Sequence, residues 1–172
     1  MAIVKASYTK KAGAAKANIR YIEHRPGKEN ARITRTLFGI DGKMERSEAY
    51  SLIDEAKEGS IFFRFVISPD PVREDTEQDL YLRDITTNTM QHLEDRLGKH
   101  VSWVAASHAD HAPHRHVHVL AVVEGRLQKQ DFPALTKAAT QACVAQRHEL
   151  DLVREQRQKE QERKEAQWEL QR

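Results

Sequence analysis

Val101-Ser102-Trp103-Val104-Ala105-Ala106-Ser107-His108-Ala109-Asp110-His111-Ala112-Pro113-His114-Arg115-His116-Val117-His118-Val119-Leu120-Ala121-Val122-Val123 is the stretch from which the rest of the chain is read. Two apolar, β-branched runs flank a histidine-rich loop, and Gly125 follows the second. The pattern predicts strands over 101–107 and 115–123. Residues two apart in a strand project from one face, so His116 and His118 point together, about 7 Å apart along the strand. Val117, Val119, Ala121 and Val123 make the opposite face apolar, and that face is expected to pack against helices. His108 shares the face of Ser102, Val104 and Ala106. If the two strands pair as a hairpin, His108 returns beside His116. His-x7-His-x-His then forms a three-imidazole metal site with open positions for water or substrate. His114 is an alternative ligand. Asp110 either orients a ligating imidazole through its second nitrogen or forms the turn. Imidazole donors alone suggest zinc, nickel or copper.

Working outward, Ile61–Ser68 reads as a strand with Ile61, Phe63, Phe65 and Ile67 on one face. Arg64 is the one charge on this strand. It is expected on the metal's face, buried, with a phosphate or carboxylate partner. Residues 2–8 read as a short strand and 12–24 as a helix. Ala12, Ala15, Ile19 and Ile22 form that helix's core seam, with Tyr21 and His24 on a second stripe. Pro26-Gly27 ends it. Residues 28–44 are turn-rich, with a hairpin signal at Asp41-Gly42 after an extended piece, 32–38. Ser47 is a candidate cap for a helix to Ala56. Residues 74–97 read as one long helix capped by Gly98, with Leu80, Ile85, Met90, Leu93 and Leu97 inward. A further helix starts at Asp131, with Pro133 in its first turn. The order predicts an α+β domain: a central, mainly antiparallel sheet with helices packed on one face, plus a long charged C-terminal helix. Residues 1–130 are expected to be the core. Residues 131–172, with thirteen charged positions from 149 onward, are expected to form a helix running off it toward a further C-terminal region.

The chain has 172 residues, 39% hydrophobic and 31% charged, with a mean hydropathy of −0.74. No apolar run approaches a membrane span, no apolar leader follows Met1, and a lone cysteine, Cys143, excludes an intramolecular disulfide and a Cys-based zinc finger. A cytoplasmic protein without membrane insertion is expected. The net charge of +2 hides an asymmetry: residues 1–46 hold eleven Lys/Arg against four acids, and the remainder 17 against 22. A basic N-terminal quarter suits a polyanionic partner. Arg25, Lys28, Arg32 and Arg35 follow Tyr21 closely and, with Arg64, are the candidate DNA contacts.

The His-hydrophobic-His pair on a central strand resembles the HUH endonucleases. Trp103 to Asp110, followed by His114 to Val119, is similar to the three-histidine motif of conjugative and mobilisation relaxases of the MOBP type. Asn18-Ile19-Arg20-Tyr21-Ile22-Glu23-His24-Arg25-Pro26-Gly27 resembles that family's nucleophile motif. The likeness spans roughly residues 2–125. It departs in the loop between Asp110 and His114, which is a residue longer. The resemblance implies a relaxase: a tyrosine, here Tyr21, attacks a DNA phosphodiester and stays joined to the 5′ phosphate. A phenol oxygen is a competent nucleophile for this. His24, one turn on, is a supporting residue or fallback nucleophile. The resemblance also implies Mn²⁺ or Mg²⁺ on His108, His116 and His118, single-stranded origin DNA as substrate, and relaxosome accessory proteins and a coupling protein as partners. A rolling-circle replication initiator with the same chemistry and a non-enzymatic DNA-binding accessory protein are the alternative readings.

Overall fold

Six strands, β1 (Ile3–Thr9), β2 (Leu37–Gly39), β3 (Gly42–Met44), β4 (Ser60–Ser68), β5 (Ser102–His108) and β6 (His116–Glu124), form one sheet in the computed structural model, which describes residues 1–110 and 114–171. Their order is β1-β4-β6-β5-β2-β3, every neighbouring pair antiparallel. Helices α1 (Ala12–His24), α2 (Arg46–Asp54), α3 (Leu82–Leu97) and α4 (Asp131–Leu170) complete it. The molecule is therefore α+β with a long C-terminal helix, as the pattern predicts.

The helices lie on both faces of the sheet, not on one. On one face Phe63, Phe65, Ile67, Trp103, Val119 and Ala121 pack with Ile85, Met90 and Leu93 of α3 and Leu135, Ala139 and Cys143 of α4. On the other, Phe62, Val104, Ala106 and Leu120 pack with Ala15, Ile19 and Ile22 of α1 and Ala49 and Ile53 of α2. The physical reason is visible in the strands. Phe62-Phe63 and Val119-Leu120-Ala121 place apolar residues on both faces in succession, the mark of a strand buried on two sides. The histidine face thus carries a second, smaller core and, at one end of it, the polar cluster.

Three local expectations change. The cap of α2 is Glu45, not Ser47: the Glu45 backbone N–H donates to the Glu48 carboxylate at 2.6 Å. The long helix begins at Leu82, not near residue 74. Residues 71–78 are turns and bends and 79–81 irregular chain instead, because acid side chains capture the backbone. The Asp70 carboxylate accepts from the Val72 and Arg73 N–H groups at 3.0 and 3.2 Å, and Asp75 accepts from the Leu80 N–H at 3.2 Å. Ala12 of the α1 seam is exposed, whereas Ala15, Ile19 and Ile22 are buried.

Gly98 closes α3 at φ +61°, and the β2–β3 hairpin turns through Ile40-Asp41 between paired Gly39 and Gly42. The first half of α4 belongs to the core, whereas residues 151–171 are exposed throughout. No helix among the described residues is long and apolar enough to cross a membrane.

Candidate metal centre

The hairpin register builds the cluster. β5 and β6 pair His108 opposite His116 and Ala106 opposite His118, and Val66 of β4 lies on the other side of His118. Directly opposed residues share a face, so the three imidazoles converge. Their rings lie 4.4–5.4 Å apart between centroids, and one potential ligand nitrogen from each lies within 4.8 Å of the others. His108 is fully buried, and His116 nearly so.

Two of the three rings use their second nitrogen. The His108 Nε2–H donates to the Ile22 carbonyl at 2.8 Å, and the His116 Nδ1–H donates to the His114 carbonyl at 3.2 Å. Each bond fixes a tautomer and leaves the opposite nitrogen as a lone pair. His108 Nδ1 and His118 Nε2 are buried without a hydrogen-bond partner among the described residues, a costly arrangement unless something accepts their electron pairs. Burial pushes His108 down to about 4, with Arg35 adding to the shift, and His118 down to about 3, with the two other imidazoles and Arg25 adding to it. His116 is lowered for the same leading reason. Three neutral imidazoles, two of them with orphaned buried nitrogens, could hold a divalent ion. His114 is exposed and stands outside the cluster, contributing only its carbonyl.

The α1 helix delivers the neighbours. Tyr21 is 48% exposed on its last turn, next to Ile22, whose carbonyl holds His108. The Arg25 guanidinium lies 5.7 Å from the Tyr21 ring centroid. His24 turns to a different group: its Nε2 meets Arg46, its Nδ1 meets Thr34 Oγ1 at 3.3 Å, and Glu23 lies 3.2 Å away.

Asp110 does not orient an imidazole. Its carboxylate accepts from Arg35 Nη2 at 2.6 Å, while Arg35 Nη1 donates to the Arg25 carbonyl at 2.7 Å. That ion pair holds the Asp110 carboxyl below its usual range. Arg35 is consequently 92% buried, a brace between the end of α1 and the histidine loop, not a surface cation. Arg64 does share the His118 face but is exposed, with no ion-pair partner among the described residues, contrary to the expected buried pair. Arg32 is exposed; the side chain of Lys28 and residues 111–113 of the loop lie outside the described residues.

Sequence reasoning missed the Ile22 carbonyl, because a backbone atom carries no residue signature. It also missed the bidentate clasp of Arg115 on buried Asp75, at 2.8 and 2.6 Å, which anchors the start of β6. A basic residue flanking the histidines was the available signal. No family model matches this chain, and no curated protein or solved structure is significantly similar to it.

Proposed function

We propose that this chain is a metal-dependent, site- and strand-specific endonuclease and strand transferase acting on single-stranded DNA, a relaxase that nicks a transfer origin through Tyr21. One observation carries the reading: three clustered imidazoles, two of them with buried unpartnered nitrogens, are tied through His108 to the helix turn that bears an exposed tyrosine. The donor set, without a carboxylate, fits a divalent transition ion such as Mn²⁺ better than Mg²⁺, which favours oxygen ligands. A bound divalent ion would supply electrostatic stabilisation of charge on the oxygens of the scissile phosphate.

The chain's own residues do the rest. Tyr21 Oη forms a bond to phosphorus as the bond from phosphorus to the 3′ oxygen breaks. The phenol proton leaves to solvent, and the departing 3′ oxygen takes one up. The 5′ phosphate stays on the tyrosine and the energy of the broken bond is kept for religation. The Arg35–Asp110 brace fixes the end of α1 against the histidine loop and so limits the geometries Tyr21 can adopt. Exposed Lys5 and Arg64 flank Val66 beside His118, offering two cations along an approach to the centre.

The test is cleavage of single-stranded oligonucleotides spanning candidate origins, with Mn²⁺ present, resolved on a denaturing gel. Wild type should give a protein–DNA adduct and a free 3′ hydroxyl product. Tyr21→Phe should retain metal and oligonucleotide binding and form no adduct. An adduct from Tyr21→Phe rejects Tyr21 as nucleophile.

A further inference from the structure

A second basic site lies across the sheet from the imidazoles. A surface cavity of about 370 Å³ is lined by Arg35, Thr36, Phe38, Lys43, Arg83 and Ser107, within the size range of ligand sites. No carboxylate is among these residues. The cross-strand pairing sets Phe38 opposite Lys43 and opposite Ala105, two residues before Ser107 on the same face. The Arg83 guanidinium, from the first turn of α3, lies 5.7 Å from the Phe38 ring centroid. It reaches over Gly42, where an added Cβ would lie 2.6 Å from Arg83 Nη2. Two strands, one helix and the segment before β2 thus bring three cations and two hydroxyl-bearing residues together.

Two of these cations are under-used. Arg83 has no ion pair or hydrogen bond among the described residues. Arg35, 92% buried, keeps its Nε buried and without a partner after serving Asp110 and the Arg25 carbonyl. Among the described residues, Lys43 pairs with the exposed Glu45 alone, at 3.3 Å. Gathering like charges raises the local potential, and an anion offsets it. Guanidinium groups with adjacent hydroxyls suit a tetrahedral oxyanion that accepts several hydrogen bonds.

We propose that this cavity binds a backbone phosphate of the same single strand that is nicked at the imidazole centre. The choice of strand rests on the nicking reading above; the oxyanion chemistry does not. Ser107 and His108 are consecutive on β5 and point to opposite faces, so a strand engaged at both sites passes around the end of β5.

Fluorescence anisotropy of a labelled 20-nucleotide single strand tests this with the full chain. Lys43→Ala/Arg83→Ala should weaken binding roughly 5-fold or more near 0.1 M salt and reduce the salt slope by about 0.7, as expected for one lost phosphate contact on a single strand. A matched control, Lys159→Ala/Arg163→Ala on the exposed arm of α4, should bind as wild type, and Arg83→Lys should recover most of the loss. Circular dichroism melts check that the variants fold. A parallel NMR titration with inorganic phosphate follows the Phe38 and Ser107 amides. Wild-type affinity and slope in the double variant would overturn the cavity proposal and leave the nicking reading intact. Failure of wild type to bind the oligonucleotide would overturn both the strand as occupant and the nicking reading. Phosphate shifts lost in the double variant would then identify a site for a small phosphate ligand instead.

Discussion

At His108 the two ring nitrogens have different work: one holds α1 through the Ile22 carbonyl, the other is left bare inside the protein. The pH dependence follows. The unfolded chain takes up histidine protons near 6.5, whereas folded His108 and His118 resist until about 4 and about 3. Between those values the unfolded state binds more protons, so metal-free stability is level above 6.5 and falls as pH drops toward 4. Arg25, Arg35 and Asp110 are the charged groups acting on these rings. Thermal melts at stepped pH should show this decline, and His118→Gln should flatten it; a melting temperature that rises on acidification in this window contradicts the burial account. Mn²⁺ at 100 times its Kd should add about 2.7 kcal/mol, and EDTA should remove it. A His118→Gln variant that keeps the full Mn²⁺ shift would reject the three-histidine centre. Gly27 is a residue-scale constraint of another kind. A Cβ there would sit 2.2 Å from Ile33 Cδ1 and 3.1 Å from Asp110 Oδ2. Ile33 is half-buried and its Cδ1 can rotate aside, so Gly27→Ala should cost no more than about 1 kcal/mol, read as a slightly lowered urea midpoint.

Among the elements, those with a clean period were legible and those set by distant contacts were not. β4, β5, β6 and α1 follow from alternation and 3.6-residue spacing, and the His108–His116 pairing follows from closing the hairpin. That both sheet faces are covered was also present in Phe62-Phe63 and Val119-Leu120-Ala121, but a count of one apolar face hid it. The false start of α3 had a different cause. The helical spacing around Leu80 is real, yet Asp70 and Asp75 bind the backbone that a helix would need. Arg35 looked like a surface cation because nothing local announces an ion pair 75 residues away. The turn segment that replaces the helix start depends on Arg115. Its clasp on Asp75, whose side chain is 4% exposed, neutralises a buried carboxylate. Arg115→Ala should cost about 3–5 kcal/mol, and Asp75→Asn/Arg115→Gln should lose less than the two single changes combined. Additive losses in urea denaturation would show that the two side chains are not coupled.

For the whole molecule, two regimes of stability share one helix. Core residues of α4 pack as far as Leu150, and Arg147 pairs with Asp79 and Asp151 while Arg154 reaches Asp79. Beyond that, the arm is held by its own pairs, such as Lys164 with Glu160 at 2.8 Å, each worth only a few tenths of a kcal/mol. Truncation after Gln156 should leave the cooperative unfolding transition and the Mn²⁺ response unchanged and lower the helical circular dichroism signal. A shifted transition would mean that the arm supports the core. The two tryptophans fall one in each regime: Trp103 is 6% exposed against the Phe38 ring edge, and Trp168 is 69% exposed on the arm. The native emission spectrum should therefore be a composite, with a blue component that iodide cannot reach and a red one that it quenches. Denaturant should move only the first, so core melting and arm fraying carry separate colours in one cuvette.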